Sequence, residues 1–142
     1  MAAKTTAYET SLLQLFFNGT TFTGLAQNAT SPNANLYVSL HTSSPGASGN
    51  QITNEAAYTS YARVAVARTT GGWTVTSGSV SPTANVVFPQ ATGGSETETF
   101  WGIGTAASGA GTLLYFGPIS PTVQIAVGIQ PVLTTASFVQ ES

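Results

Sequence analysis

Apolar side chains recur at Tyr8, Leu12, Leu15 and Phe16, spaced i, i+4, i+7 and i+8. That period lays them along one helical face. Thr6 and Glu9 have the spacing of a capping box, and Asn18-Gly19 has the chemistry of a helix C-terminus. The pattern predicts one helix over residues 6–17, its apolar surface widened by Leu13 and Phe17. Beyond Gly19 the period changes. Leu36, Val38 and Leu40 alternate with Tyr37, Ser39 and His41, the pattern of a half-buried strand. Further short strands are predicted at Tyr61 to Arg68, Trp73 to Thr76, Ala84 to Phe88, Thr97 to Ile103, Leu113 to Phe116, Thr122 to Val127 and Val132 to Val139. Turn chemistry separates them at Gly71-Gly72, Gly93-Gly94, Ser108 to Gly111 and Gly117-Pro118. Thr42 to Asn54 is rich in Ser, Gly, Asn and Pro and reads as a long loop, the kind of segment that often carries contacts. About eight short strands with turns between them imply an all-β fold, a β-sandwich of jelly-roll type with one N-terminal α-helix. The expected organisation is a helical arm over residues 1–20 and a single sandwich domain over residues 21–142.

Charge changes the picture. The 142 residues include only three Lys and Arg and five acids, all Glu, so 6% are charged and the formal net charge is −2. An average soluble protein is about 25% charged. Here Ser, Thr, Asn and Gln take the place of ions, beside 42% hydrophobic residues. Such a surface loses water at little cost, because few ions must be desolvated. It suits a subunit packed against neighbours. Three basic residues cannot neutralise a row of phosphates, which excludes nucleic acid as a partner. Cysteine is absent, so disulfides and thiolate metal sites are excluded as well. No apolar run is long enough for a membrane-spanning helix. The first residues lack the pattern of a secretory leader, so none is expected.

Few groups could carry chemistry. His41 is the sole histidine, and Ser39 shares its strand face. Catalysis there would need a nucleophile, a base and an orienting carboxylate to converge. Without that convergence a strand histidine is a structural residue. Glu96 and Glu98 lie two apart and could be the paired carboxylates of a glycosidase. Beside Gly93-Gly94-Ser95 they read more simply as edge charges that discourage sheet-to-sheet aggregation. With one His, no Asp and no Cys, no metal site or cofactor is expected. Arg63 and Arg68 are the only arginines, and in so charge-poor a chain each is expected to have an assigned partner, such as Glu55 or a neighbouring subunit. Gly102, Gly104, Gly109 and Gly111 lack the lysine of a phosphate loop and read as turn and close-packing glycines.

Several stretches resemble a family of small virion proteins of tailed phages and prophages, often labelled phage tail fibre protein. These are KTTAYETSLLQLFFNGT (Lys4 to Thr20), LYVSLHTSSPG (Leu36 to Gly46), YTSYARVAVAR (Tyr58 to Arg68), GGWTVTSGSVSP (Gly71 to Pro82) and WGIGTAASGAGTLLYFGPI (Trp101 to Ile119). The resemblance covers nearly the whole chain in order. It implies a virion component and carries no catalytic residue across. Similar small all-β proteins serve as capsid cement or decoration subunits.

Two locations on a particle are compatible with these observations. Fibres usually show repeats or coiled-coil shafts, and this chain has neither. The sequence therefore favours a non-enzymatic capsid cement subunit on the head exterior, bound to the major capsid protein and to copies of itself. The alternative is a tail fibre, tip or adaptor that meets other tail proteins or a host-surface glycan. A glycan-cleaving enzyme using Glu96 and Glu98 is a remote third. Three surfaces are candidates for the contact: the helix face with Tyr8, Leu12 and Phe16; the loop around His41, Pro45 and Asn50; and the pair Arg63 and Trp101.

Overall fold

The computed structural model describes residues 5–21, 32–137 and 139–140. It is all-β and sandwich-like with a single short helix, the class expected from the sequence. The elements run α1 (Thr6–Phe17), β1 (Asn35–His41), β2 (Val64–Ala67), β3 (Trp73–Thr76), β4 (Ser79–Pro82), β5 (Val86–Val87), β6 (Thr97–Gly104), β7 (Leu113–Gln124), β8 (Val132–Leu133) and β9 (Val139–Gln140). Among the described residues they form sheets of order β2-β1-β6-β7, β3-β4-β9 and β5-β8. The chain divides into two compact units. The first is built from Met1–Asn35, Val66–Asn85 and Leu133–Ser142, the second from Leu36–Ala65 and Val86–Val132.

The first unit is a helix on a small sheet. Thr5, not Thr6, caps α1, its hydroxyl accepting from the Tyr8 amide at 3.3 Å. The helix ends where the sequence says, with Asn18 as the cap and Gly19 at φ +66°. That left-handed position costs glycine nothing. Below the helix, Ser77 and Gly78 both have positive φ and turn β3 into β4. Two such residues make a turn of the type whose twist suits a hairpin. The pattern of apolar positions predicts no strand at β4. Ser77-Gly78 was the signal for it, but the short Ser-Val-Ser-Pro that follows is too polar to announce a strand alone. Leu13 and Phe17 of α1 are fully buried, and Phe17 meets the Trp73 ring edge-on at a centroid distance of 4.8 Å. Thr10 accepts from the Gly78 amide at 2.8 Å, which ties the helix to the hairpin turn.

The second unit is built on the antiparallel strands β1, β6 and β7, with Val38 opposite Ile103 and Leu40 opposite Trp101. Its core includes Leu36, Val38, Leu40, Ile103, Phe88 and Ile125. Alternation predicts β1 and β6, but as half-buried strands, whereas β1 is buried on both faces from Val38 to His41 and β6 on both from Gly102 to Gly104. It split β7 in two, because Gly117-Pro118 reads as a stop. The strand instead runs on through both prolines, since β7 lies at the end of its sheet, where a missing N–H leaves no ladder bond unmade. Register shifts between Glu98 and Phe100 and between Ile103 and Gly104 accommodate it. The predicted strand Val132 to Val139 is represented only by its two ends, and its Phe138 lies outside the described residues.

Candidate functional site

Every candidate residue can now be placed. On α1 the periodic stripe is the outward one. Tyr8 and Phe16 are 42% and 45% exposed and Leu12 is half-buried, whereas the buried pair is Leu13 and Phe17. Leu13 is one residue, or about 100°, round the helix from Leu12. The helix thus has two apolar faces, one packed on β3 and β4 and one facing out.

The loop after β1 is folded onto the sheet more closely than its composition suggests. His41 is fully buried, with Nδ1 2.9 Å from the Thr53 carbonyl and Nε2 2.9 Å from the Ser39 hydroxyl. The bond to a carbonyl fixes Nδ1 as the donor, so Nε2 accepts from Ser39. Burial lowers the His41 pKa, partly offset by the Thr53 carbonyl and by Glu55. Gly102 closes over the pair, for a Cβ there would stand 2.8 Å from the Ser39 hydroxyl and 2.9 Å from His41 Nε2. Serine and histidine do meet, but under a lid of backbone that no substrate passes. Pro45 is buried as well. Asn50 turns its carbonyl oxygen back to the Ile52 amide and the Thr53 hydroxyl.

Gln51 was missed by sequence reasoning and organises this region. It is fully buried, and its amide clasps the backbone of Ala106, donating to the carbonyl at 3.3 Å and accepting from the N–H at 2.9 Å. Gly104 and Gly111 leave room for it, since a Cβ at either would overlap its side chain. Nothing in the local sequence distinguishes Gln51 from a loop residue. The close-packing reading of Gly104 and Gly111 was the only pointer.

Arg63 holds a bidentate pair with Glu55, through Nε to Oε1 at 2.6 Å and Nη2 to Oε2 at 2.7 Å. It also donates to the carbonyls of Ala106 and Gly109. Its side chain is 2% exposed. Tyr61 adds a hydroxyl to Glu55 at 2.9 Å, and burial drives the Tyr61 pKa upward. A shallow cavity of about 270 Å³ opens beside this cluster, lined by Glu55, Tyr61, Ala62, Arg63 and Ala107–Gly109. Trp101 does not line it. Its ring covers Gly117 on the adjacent strand. The partner expected for Arg63, Glu55, is the one found.

The paired carboxylates have divergent fates. Glu96 accepts from the amides of Ala57 and Tyr58, both at 2.8 Å. Glu98 is fully buried, with Glu96 the group beside its carboxyl. Burial first, then a side-chain hydrogen bond to Glu96 and the like charge of that carboxyl, push its pKa up to about 8. The same burial lifts Tyr58 to about 12, with Glu98 and Glu96 contributing. The edge-charge reading of Glu98 is therefore wrong, because the residue faces inward. A glycosidase would need both carboxyls at a substrate cleft. Here one is sealed and the other is spent on backbone amides. Among the described residues no group of three potential ligands could hold a metal, and no helix is long and apolar enough to cross a membrane.

Residues 3–139 match the model of a family described as podophage GP4 fiber I protein gp80. No curated protein matches the chain.

Proposed function

Because this chain belongs to the podophage GP4 fiber I protein gp80 family, we propose that it is a tail-fibre component of a short-tailed phage particle. At the coarser level the family is one of phage fibre structural proteins, which makes the chain a virion structural protein. The observation that carries the reading is the extent of the match, residues 3–139, which takes in both units. The tail position fits it better than the capsid-cement position that composition favoured. Lack of a repetitive shaft argues only against an elongated shaft segment, not against a tip or connecting piece.

The geometry supports a role through contact. The groups that could do chemistry are committed to holding the fold: Ser39 with His41, Glu96 with two amides, Arg63 with Glu55. Among the described residues, none of the fully exposed side chains is charged. We assign the contact with a neighbouring tail protein to the α1 stripe of Tyr8, Leu12 and Phe16, in which the Tyr8 and Phe16 rings are exposed and Leu12 is half-buried between them. Apolar anchors of this kind dominate protein interfaces. The loop around Pro45 and Asn50 is less suited, since Pro45 is buried and Asn50 is bonded within the loop.

The test is copy number together with position. A tail-fibre component is present in far fewer copies than the major capsid protein, and gold-labelled antibody finds it at the tail vertex. Near-equal amounts with label over the whole head would overturn the reading in favour of cement.

A further inference from the structure

The cavity of about 270 Å³ beside Arg63 is built more firmly than a surface loop requires. Gln51 bonds the Ala106 carbonyl and amide through its side chain and the Ala110 carbonyl through its own N–H. Arg63 bonds the carbonyls of Ala106 and Gly109. The wall between these anchors, Ala107–Gly109, is therefore set before anything enters, which spares a ligand the cost of ordering it. Glu55 and Arg63 neutralise each other in the lining, and no other charged residue belongs to it. An ionised carboxylate offers roughly four acceptor positions, and a guanidinium five N–H donors. Arg63 Nε, Arg63 Nη2 and the Tyr61 hydroxyl occupy three positions on Glu55, which leaves one on Oε2. Arg63 uses four of its donors, which leaves one on Nη1. One acceptor and one donor thus remain on a single salt-bridged pair.

We propose that this cavity binds one ring of a neutral sugar. A lining whose charges cancel gives neither an anion nor a cation an unmatched partner. A hydroxyl both donates and accepts, so neighbouring hydroxyls answer the spare acceptor of Glu55 and the spare donor of Arg63 together. Exposed Ser108 also lines the cavity and offers a further hydroxyl. Ala62, Ala107 and Tyr61 supply an uncharged wall for the C–H face of a pyranose. A primary amide has the same donor and acceptor but no such face to lay on that wall. Size agrees as well, because sites for drug-sized molecules begin at roughly 300 Å³, and this one is slightly smaller. It takes a single ring, and its open side lets that ring stay joined to a longer glycan outside. The proposal rests on the cavity and does not depend on where the protein sits on the particle.

Magnetic resonance on the isotope-labelled full-length chain tests it. The methyl glycosides of glucose, galactose, mannose and N-acetylglucosamine are titrated singly at millimolar concentrations. At least one should move the amide signals of Ala62 and Ala107–Gly109 saturably. Ala107→Trp, at an exposed position, should fill the cavity and abolish those shifts with circular dichroism unchanged. No saturable shift with any of these glycosides overturns the proposal, and so do shifts that survive Ala107→Trp. Acetamide and sodium acetate, run in parallel, should leave the signals in place. A stronger shift with either than with every glycoside overturns the proposal too. Should Ala107→Trp fail to fold, Ala62→Trp, also at an exposed lining position, takes its place with the same expected loss.

Discussion

The two arginines invite comparison, because each secures one unit by different means. Arg68 in the first unit reaches carbonyls: those of Leu15 and Phe16 at the end of α1, and that of Asn33. The last turn of α1 contains no basic residue of its own, so Arg68 supplies from outside the cation that a helix C-terminus favours. Arg63 in the second unit holds a carboxylate and two carbonyls at once, almost out of contact with water. One cation thus closes a helix end through backbone carbonyls, and the other is the centre of a buried polar cluster. The difference teaches where the scarce charge went. Both arginines gather loose backbone acceptors within their own unit.

Removing the buried centre should do the most damage. Arg63→Ala leaves the Glu55 carboxylate without its counter-ion and two carbonyls without a donor, and should cost about 3–5 kcal/mol. Chemical denaturation measures the loss, and hydrogen exchange should localise it to the second unit. The double variant Arg63→Met with Glu55→Leu should recover only part, because the Ala106 and Gly109 carbonyls stay unpaired.

Glu98 sharpens the comparison within the second unit. Its folded pKa, about 8, lies above the ordinary value of 4.5. Between these values the folded state holds a proton that the unfolded chain has released. Stability therefore falls as pH rises from about 4.5 to about 8, and the full penalty is present above 8. Glu98→Gln should flatten that slope and stabilise the protein at alkaline pH by on the order of a few kcal/mol. Thermal melts of both forms across pH 5–9 (roughly the window set by linkage) would show it, and parallel slopes would refute it.

Arg68→Ala should cost less, about 1–2 kcal/mol, because its acceptors lie nearer the surface and recover bonds to water. Its exchange signature should fall on α1 and leave the Gln51 region protected. Phe16→Ser should shift stability least, within about 0.5 kcal/mol, as expected of a surface change. Its effect should appear in assembly instead, as reduced incorporation into particles.

Local pattern carried some of this and missed the rest for a definable reason. The bounds of α1, the alternation of β1 and β6 and the cap at Asn18-Gly19 follow from periods and turn chemistry, which neighbouring residues impose on one another. The inward position of Glu98, the Ser39–His41 bond beneath Gly102 and the grip of Gln51 on Ala106 depend on which strand or turn lies opposite. Such pairing is a property of the fold, and no run of neighbouring residues encodes it. The α1 stripe shows the boundary between the two. Periodicity found Tyr8, Leu12 and Phe16, but only packing decides that Leu13 and Phe17 take the interior. The Arg63–Glu55 pair was within reach because so few ions leave few pairings to consider. The polar strand β4 and the uninterrupted β7 were not, since each exists by virtue of its neighbour.

The sealed carboxyl of Glu98 has an electrical consequence. With its proton retained at neutral pH, one unit comes off the formal charge of −2, in a molecule whose Arg63–Glu55 pair is already buried. Little field then projects into solution to draw a partner in from a distance. Encounters should proceed at the slower pace of unsteered diffusion, about 10⁵–10⁶ M⁻¹s⁻¹, and hardly respond to salt. Such a protein recognises its neighbours by fit at touching distance, and it would do so alike in dilute and in saline surroundings.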